Sequence, residues 1–82
     1  MKVTVTKKVP MQTLKITTEF IKLESAMKLS NSVYSGGEAK AVIQEGLVKV
    51  NGEVCTMRGK KLYNGDSFSF QGANFCIAYD PA

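Results

Sequence analysis

The sequence predicts a small α+β domain. One observation is a pair of short segments, residues 23–30 and 38–45, whose apolar residues recur at helical spacing. The other is a second half of short alternating runs punctuated by Asn-Gly and Gly-containing turns. A content of 44% apolar and 22% charged residues places the chain among folded rather than disordered proteins. Its 82 residues suffice for one domain with one modest core.

Residues 1–12 read as a weakly ordered basic extension, because Pro10 interrupts regular strand pairing. Residues 13–82 read as a single domain. Thr13 to Ile21 is predicted as one half-buried strand. Leu14, Ile16, Thr18 and Phe20 alternate there with Lys15, Thr17 and Glu19. A first helix follows over Leu23–Ser30, burying Leu23, Ala26, Met27 and Ser30. Asn31-Ser32 breaks it, and Val33 is expected to plug the core.

The stretch from Ser35 to Gly52 is the most informative. Ser35 and Glu38 have the spacing of a capping box: the hydroxyl accepts from the Glu38 N–H, and the carboxylate reaches back to the Ser35 N–H. Between them stand Gly36 and Gly37. Glycine is about 1 kcal/mol worse than alanine in a helix, so two in succession need a reason. One reason is close approach of an anion to the free N–H groups of the first turn. The other is an easy entry from loop to helix. Ala39, Val42, Ile43 and Gly46 form the core face, while Lys40 and Gln44 stay in water. Gly46 stops the helix. Val48 and Val50 then point inward on a strand, and Asn51-Gly52 predicts a type I′ hairpin turn.

The rest reads as alternating strands and turns. Residues 53–56 form a return strand, and Met57 to Lys61 a compact basic loop. Leu62 re-enters the core, and residues 63–66 turn. Ser67–Phe70 is a strand with Phe68 and Phe70 inward. Residues 71–74 turn again, and Phe75–Tyr79 is a last strand, read as a candidate exposed edge.

Composition excludes several function classes. No apolar run approaches the roughly 18 residues of a membrane span, and the N-terminus lacks a signal-peptide core. A cytoplasmic protein without membrane contact is expected. Histidine is absent, and with it the usual neutral-pH acid and base. No phosphate-binding or nucleophile-elbow motif occurs. Cys55 and Cys76 do not form a C-x-x-C pair and read as reduced thiols. No enzyme, metal or cofactor is expected. The net charge is +4, and the first 18 residues carry Lys2, Lys7, Lys8 and Lys15 without an acid. That bias permits a polyanionic partner without requiring one.

The run SGGEAKAVIQEGLVKVNGEV, followed by RGKKLYNGDSFSF, resembles the RNA-binding domain named for ribosomal small-subunit protein four. Within that family it is similar to the short stand-alone bacterial versions (the YaaA/YbcJ type). The resemblance covers about Thr18 to Phe70. It implies two short helices packed on a small, strongly bent, mostly antiparallel sheet, the alpha-L motif. It also implies that structured RNA, such as ribosomal RNA or a ribosome precursor, is gripped by the helices and an adjoining loop. The ribosome or its proteins are implied as further partners. Carried onto this chain, the surface holds Lys28, then Ser35, Gly36, Gly37 and Lys40, then Arg58, Gly59, Lys60 and Lys61. Lys22 is counted with them, standing where relatives often have a threonine cap. Ser30-Asn31 replaces a small apolar–Gly pair. Exposed N–H groups and lysines suit phosphates and folded RNA shape, and no aromatic platform is expected beside them. The other readings are a protein–protein module on the same fold and a phosphate compound held at Ser35-Gly36-Gly37.

Overall fold

A computed structural model describes residues 11–81. The elements are β1 (Met11–Ile16), β2 (Phe20–Lys22), α1 (Leu23–Leu29), α2 (Gly36–Gln44), β3 (Val48–Val50), β4 (Glu53–Val54), β5 (Lys61–Tyr63), β6 (Ser67–Phe70) and β7 (Ala73–Tyr79). The fold is α+β, as expected. A five-stranded sheet has the order β1-β7-β6-β3-β4, and β2 pairs with β5 in a separate ribbon. In the larger sheet β3–β4, β3–β6 and β6–β7 are antiparallel, while β1–β7 is parallel. The expected extension falls mostly outside the described residues; its last two, Met11 and Gln12, lie in β1 opposite Asn74 and Phe75.

Strand alternation builds the core. Val48, Val50, Phe68, Phe70, Phe75 and Ile77 are buried on one face of the sheet. The Phe68 and Phe75 rings stack with centroids 4.9 Å apart. Leu23, Ala26 and Met27 of α1 and Ala39 and Ile43 of α2 close the same cluster, with Val33 between the helices. Leu62 joins it from β5.

Several sequence expectations change, and the return strand over 53–56 shortens to Glu53–Val54. The single strand over Thr13–Ile21 is two strands in two sheets. The Ile16 carbonyl accepts from the Asp80 N–H at 2.8 Å, which closes β1 against the end of β7. The chain then bends through Thr17–Glu19, and the Thr18 hydroxyl donates to the Phe20 carbonyl at 2.7 Å. Thr18 is therefore exposed rather than inward. The last strand is also not an edge. β7 lies between β1 and β6, so both its hydrogen-bonding sides are used.

The turns follow local chemistry. Asn51 and Gly52 both have positive φ, at 51° and 88°, as a type I′ turn requires. Gln71 and Gly72 do the same at 53° and 83°, so the third turn is tighter than residues 71–74 suggested. Asn31 ends α1 with φ 63°, a value that asparagine tolerates where glycine is absent. Cys55 and Cys76 are half-buried and free.

Asp66 ties the turns together. One carboxylate oxygen accepts the Tyr63 N–H at 2.7 Å, and the other accepts the Asn51 amide at 3.2 Å. The Asn51 side-chain oxygen in turn accepts the Ser67 N–H at 3.0 Å. The Asn-Gly and Gly-Asp motifs are thus two halves of one network. Asp66→Ala removes the shared acceptor of the Tyr63 N–H and the Asn51 amide at the surface and should destabilise by about 1 kcal/mol in urea unfolding. Phe68→Ala, which opens the stacked centre of the core, should cost about 3–5 kcal/mol in the same assay.

Candidate nucleic-acid interface

The start of α2 is built by its own sequence. Ser35 is the N-cap in extended conformation, and its Oγ accepts the Glu38 N–H at 3.2 Å. The return bond differs from the expected capping box by one residue. Glu38 Oε1 accepts the N–H of Tyr34, not of Ser35, at 2.9 Å. The carboxylate therefore clamps the loop ahead of the helix. The N–H groups of Gly36 and Gly37 open the helix and have no intrahelical acceptor.

The two glycines are not required by the fold. Neither has a positive φ. A Cβ added at Gly36 meets nothing within 4 Å, and one at Gly37 meets only Ser35 Oγ at 3.9 Å. The chain has room for side chains there and carries none. Lys40 is exposed one turn further on, four residues from Gly36 and three from Gly37, hence on their side of the helix. Lys28 is exposed in the last turn of α1, shortly before this region in the chain.

A second group forms at the other end of α1. That helix has no side-chain cap at Lys22. Two loop carbonyls act instead: the Leu23 N–H donates to the Lys60 carbonyl at 2.8 Å, and the Glu24 N–H to the Arg58 carbonyl at 3.1 Å. The Lys60 N–H closes the loop on the Met57 carbonyl at 3.1 Å. Arg58, Gly59 and Lys60 are all exposed. Lys61 belongs to β5 rather than to the expected loop, because it pairs with Lys22 across the ribbon. Its Nζ sits 4.8 Å from the centroid of the Phe20 ring. Like charges opposite each other repel, so Lys22 and Lys61 raise the local positive potential. The positive end of the α1 dipole adds to it.

The ten sequence-predicted residues thus fall into two groups. Lys22, Arg58, Gly59, Lys60 and Lys61 gather at the start of α1. Lys28, Ser35, Gly36, Gly37 and Lys40 lie towards its end and the start of α2. The seven-residue helix α1, about 10 Å long, runs between Lys22 at its start and Lys28 in its last turn. None of the lysines at 22, 28, 40 and 60, nor Arg58, is held in an ion pair among the described residues. No cluster of metal-ligating side chains occurs among those residues either. No helix among the described residues is long and apolar enough to cross a membrane.

One exposed aromatic stands beside the helix start. Tyr34, directly ahead of Ser35, is 92% exposed. The sequence reading expected no aromatic beside the helix start. The available signal was an aromatic residue immediately before a serine N-cap.

A family model described as S4 domain matches residues 14–78. The chain belongs to the S4-domain family. The match spans the described elements from late β1 to late β7, both basic groups included. This S4 domain is also 42% identical over 59 residues to the probable ribosome maturation protein RlbA of Bacillus subtilis (strain 168). The alignment covers 72% of this chain and 83% of that protein.

Replacing either glycine should stabilise the domain. Gly36→Ala and Gly37→Ala gain helix propensity and meet no clash. Each should raise the unfolding free energy by up to about 1 kcal/mol in urea titration. Ser35→Ala should lower it by about 1 kcal/mol.

Proposed function

We propose that this S4 domain is a non-catalytic RNA-binding protein that docks on structured ribosomal RNA or its precursors during ribosome maturation. The observation that carries this reading is the pair of glycines opening α2. They weaken the helix, the fold does not need them, and they leave two N–H groups accessible. Accessible backbone donors beside an exposed lysine are suited to a phosphate. The second basic group lies at the start of α1, at the opposite end of that helix from Lys28. A small phosphate compound would occupy one such group, whereas a folded RNA presents phosphates to both. The Bacillus subtilis relative is named as a probable ribosome maturation protein, which supports a ribosome-related partner.

The two groups divide the task. Arg58, Lys60, Lys61 and Lys22 supply charge at a helix start that already repels cations. Ser35, Gly36, Gly37 and Lys40 supply directed N–H donors and one cation. Lys28 extends the charge from the α1 side. The proposed interface contains no acid–base pair and asks for none, since binding and positioning are its whole chemistry.

The test is binding of purified ribosomal RNA against duplex DNA over a salt series. RNA should be preferred, and log affinity should fall linearly with log salt, by about 0.7–0.9 for each phosphate neutralised. Lys40→Glu and Arg58→Glu should each weaken binding by about tenfold or more while leaving urea unfolding nearly unchanged. Gly37→Ala separates stability from function: a more stable protein that binds RNA less well. Normal RNA binding by both charge-reversed variants would overturn the proposal.

A further inference from the structure

Tyr34 is the most exposed large hydrophobic side chain recorded among the described residues, at 92% against 65% for Met57. Its ring makes none of the observed ring contacts, which join Phe20 to Tyr63 and Phe68 to Phe75. Its hydroxyl has no hydrogen-bond partner among the described residues. An apolar residue just before an N-cap ordinarily packs on the fourth residue of the helix as a staple. Here that fourth residue is Ala39, small and fully buried, and Tyr34 does not cover it. Among the described residues the ring has no stacking or hydrogen-bond partner.

The backbone beneath the ring is fixed. The Tyr34 N–H is held by the Glu38 carboxylate at 2.9 Å. Val33 before it is 2% exposed and anchored in the core. Ser35 after it is locked as the N-cap by the Glu38 N–H at 3.2 Å. A free aromatic ring on a fixed base loses little conformational freedom on binding, because only two side-chain torsions remain to be ordered.

Resting on the RNA-binding reading above, we infer that Tyr34 is a stacking platform for one unpaired base of the bound RNA. Bases inside a duplex are already stacked and offer no face to a protein ring. A bulged or looped-out base does. Tyr34 thereby selects RNA in which an unpaired nucleotide lies next to the phosphate at the start of α2. The charged groups hold the backbone, and the ring reads the local absence of pairing. A protein partner is the competing occupant. The surroundings favour RNA, since Tyr34 stands beside Ser35-Gly36-Gly37 and within two helical turns of Lys40 in the chain, rather than inside an apolar patch.

The chain has three tyrosines and no tryptophan. In a Tyr63→Phe/Tyr79→Phe background, Tyr34 is therefore the only fluorophore of its kind. That protein is titrated with a short RNA hairpin carrying one bulged adenosine, and with the same hairpin lacking the bulge. The bulged hairpin should quench the tyrosine emission and bind about 5- to 100-fold tighter. Tyr34→Phe should keep the preference and Tyr34→Ala should abolish it, with nearly unchanged urea unfolding because the side chain is 92% exposed. Equal binding of the two hairpins, a preference that survives Tyr34→Ala, or binding without quenching would each overturn the inference alone. If Tyr34→Ala instead left hairpin binding intact and released a ribosomal protein, the ring would be a protein contact. If neither hairpin nor purified ribosomal RNA bound at low salt, the RNA-binding proposal would fall with it.

Discussion

The first helix has no cap of its own, and much of the molecule is arranged around that deficit. Lys22 offers no side-chain acceptor to the opening N–H groups. The carbonyls of Arg58 and Lys60 accept two of them instead. The consequence is mechanical. A loop of exposed cations, which alone would fray, is bonded by its backbone to a helix whose other face lies in the core. The side chains of Arg58 and Lys60 stay in water because their carbonyls, not their charges, make the attachment. The attachment therefore uses the backbone atoms of these residues and leaves their charges in water.

The start of the second helix works the other way. Its cap is local, with Ser35 and Glu38 satisfying the third N–H and the preceding loop. What it leaves undone is the first two N–H groups. Glycine at both positions gives up helix propensity without relieving any clash or strained φ. In a fold of this size, with a few kcal/mol of net stability, giving that up twice is consequential. A domain shaped only by stability would carry alanine there.

Much of the fold was legible because its signals are local. The 3.6-residue spacing of Leu23, Ala26 and Met27, the Ser35 cap, the Gly46 stop and the Asn51-Gly52 turn depend on neighbours in the chain. What was not legible is what depends on distant partners. Thr17 and Thr18 have good strand propensity, so nothing local announces the bend between β1 and β2. The parallel pairing of β1 with β7 joins residues more than sixty positions apart. Glu38 bonded Tyr34 instead of Ser35 through a one-residue shift that spacing does not resolve. In the candidate site, the cations were readable as residues, but their anchoring was not, since a backbone carbonyl has no sequence signature. Lys61 was assigned to the loop for the same reason: its strand exists only through pairing with the distant residues Phe20–Lys22.

The parallel β1–β7 pairing also sets an order of events during synthesis. β7 is the strand made last among those described, yet it occupies an interior place in the sheet. Until it emerges, β1 has no neighbour among the described strands, and β6 has only β3. The helices, the β3–β4 hairpin and the β2–β5 ribbon can form earlier, but the apolar face of the sheet stays open. Closure is therefore a late step joining the two ends of the domain, and loop-closure entropy makes it slow relative to local structure. A nascent S4 domain of this topology carries its helix starts before it carries a finished core.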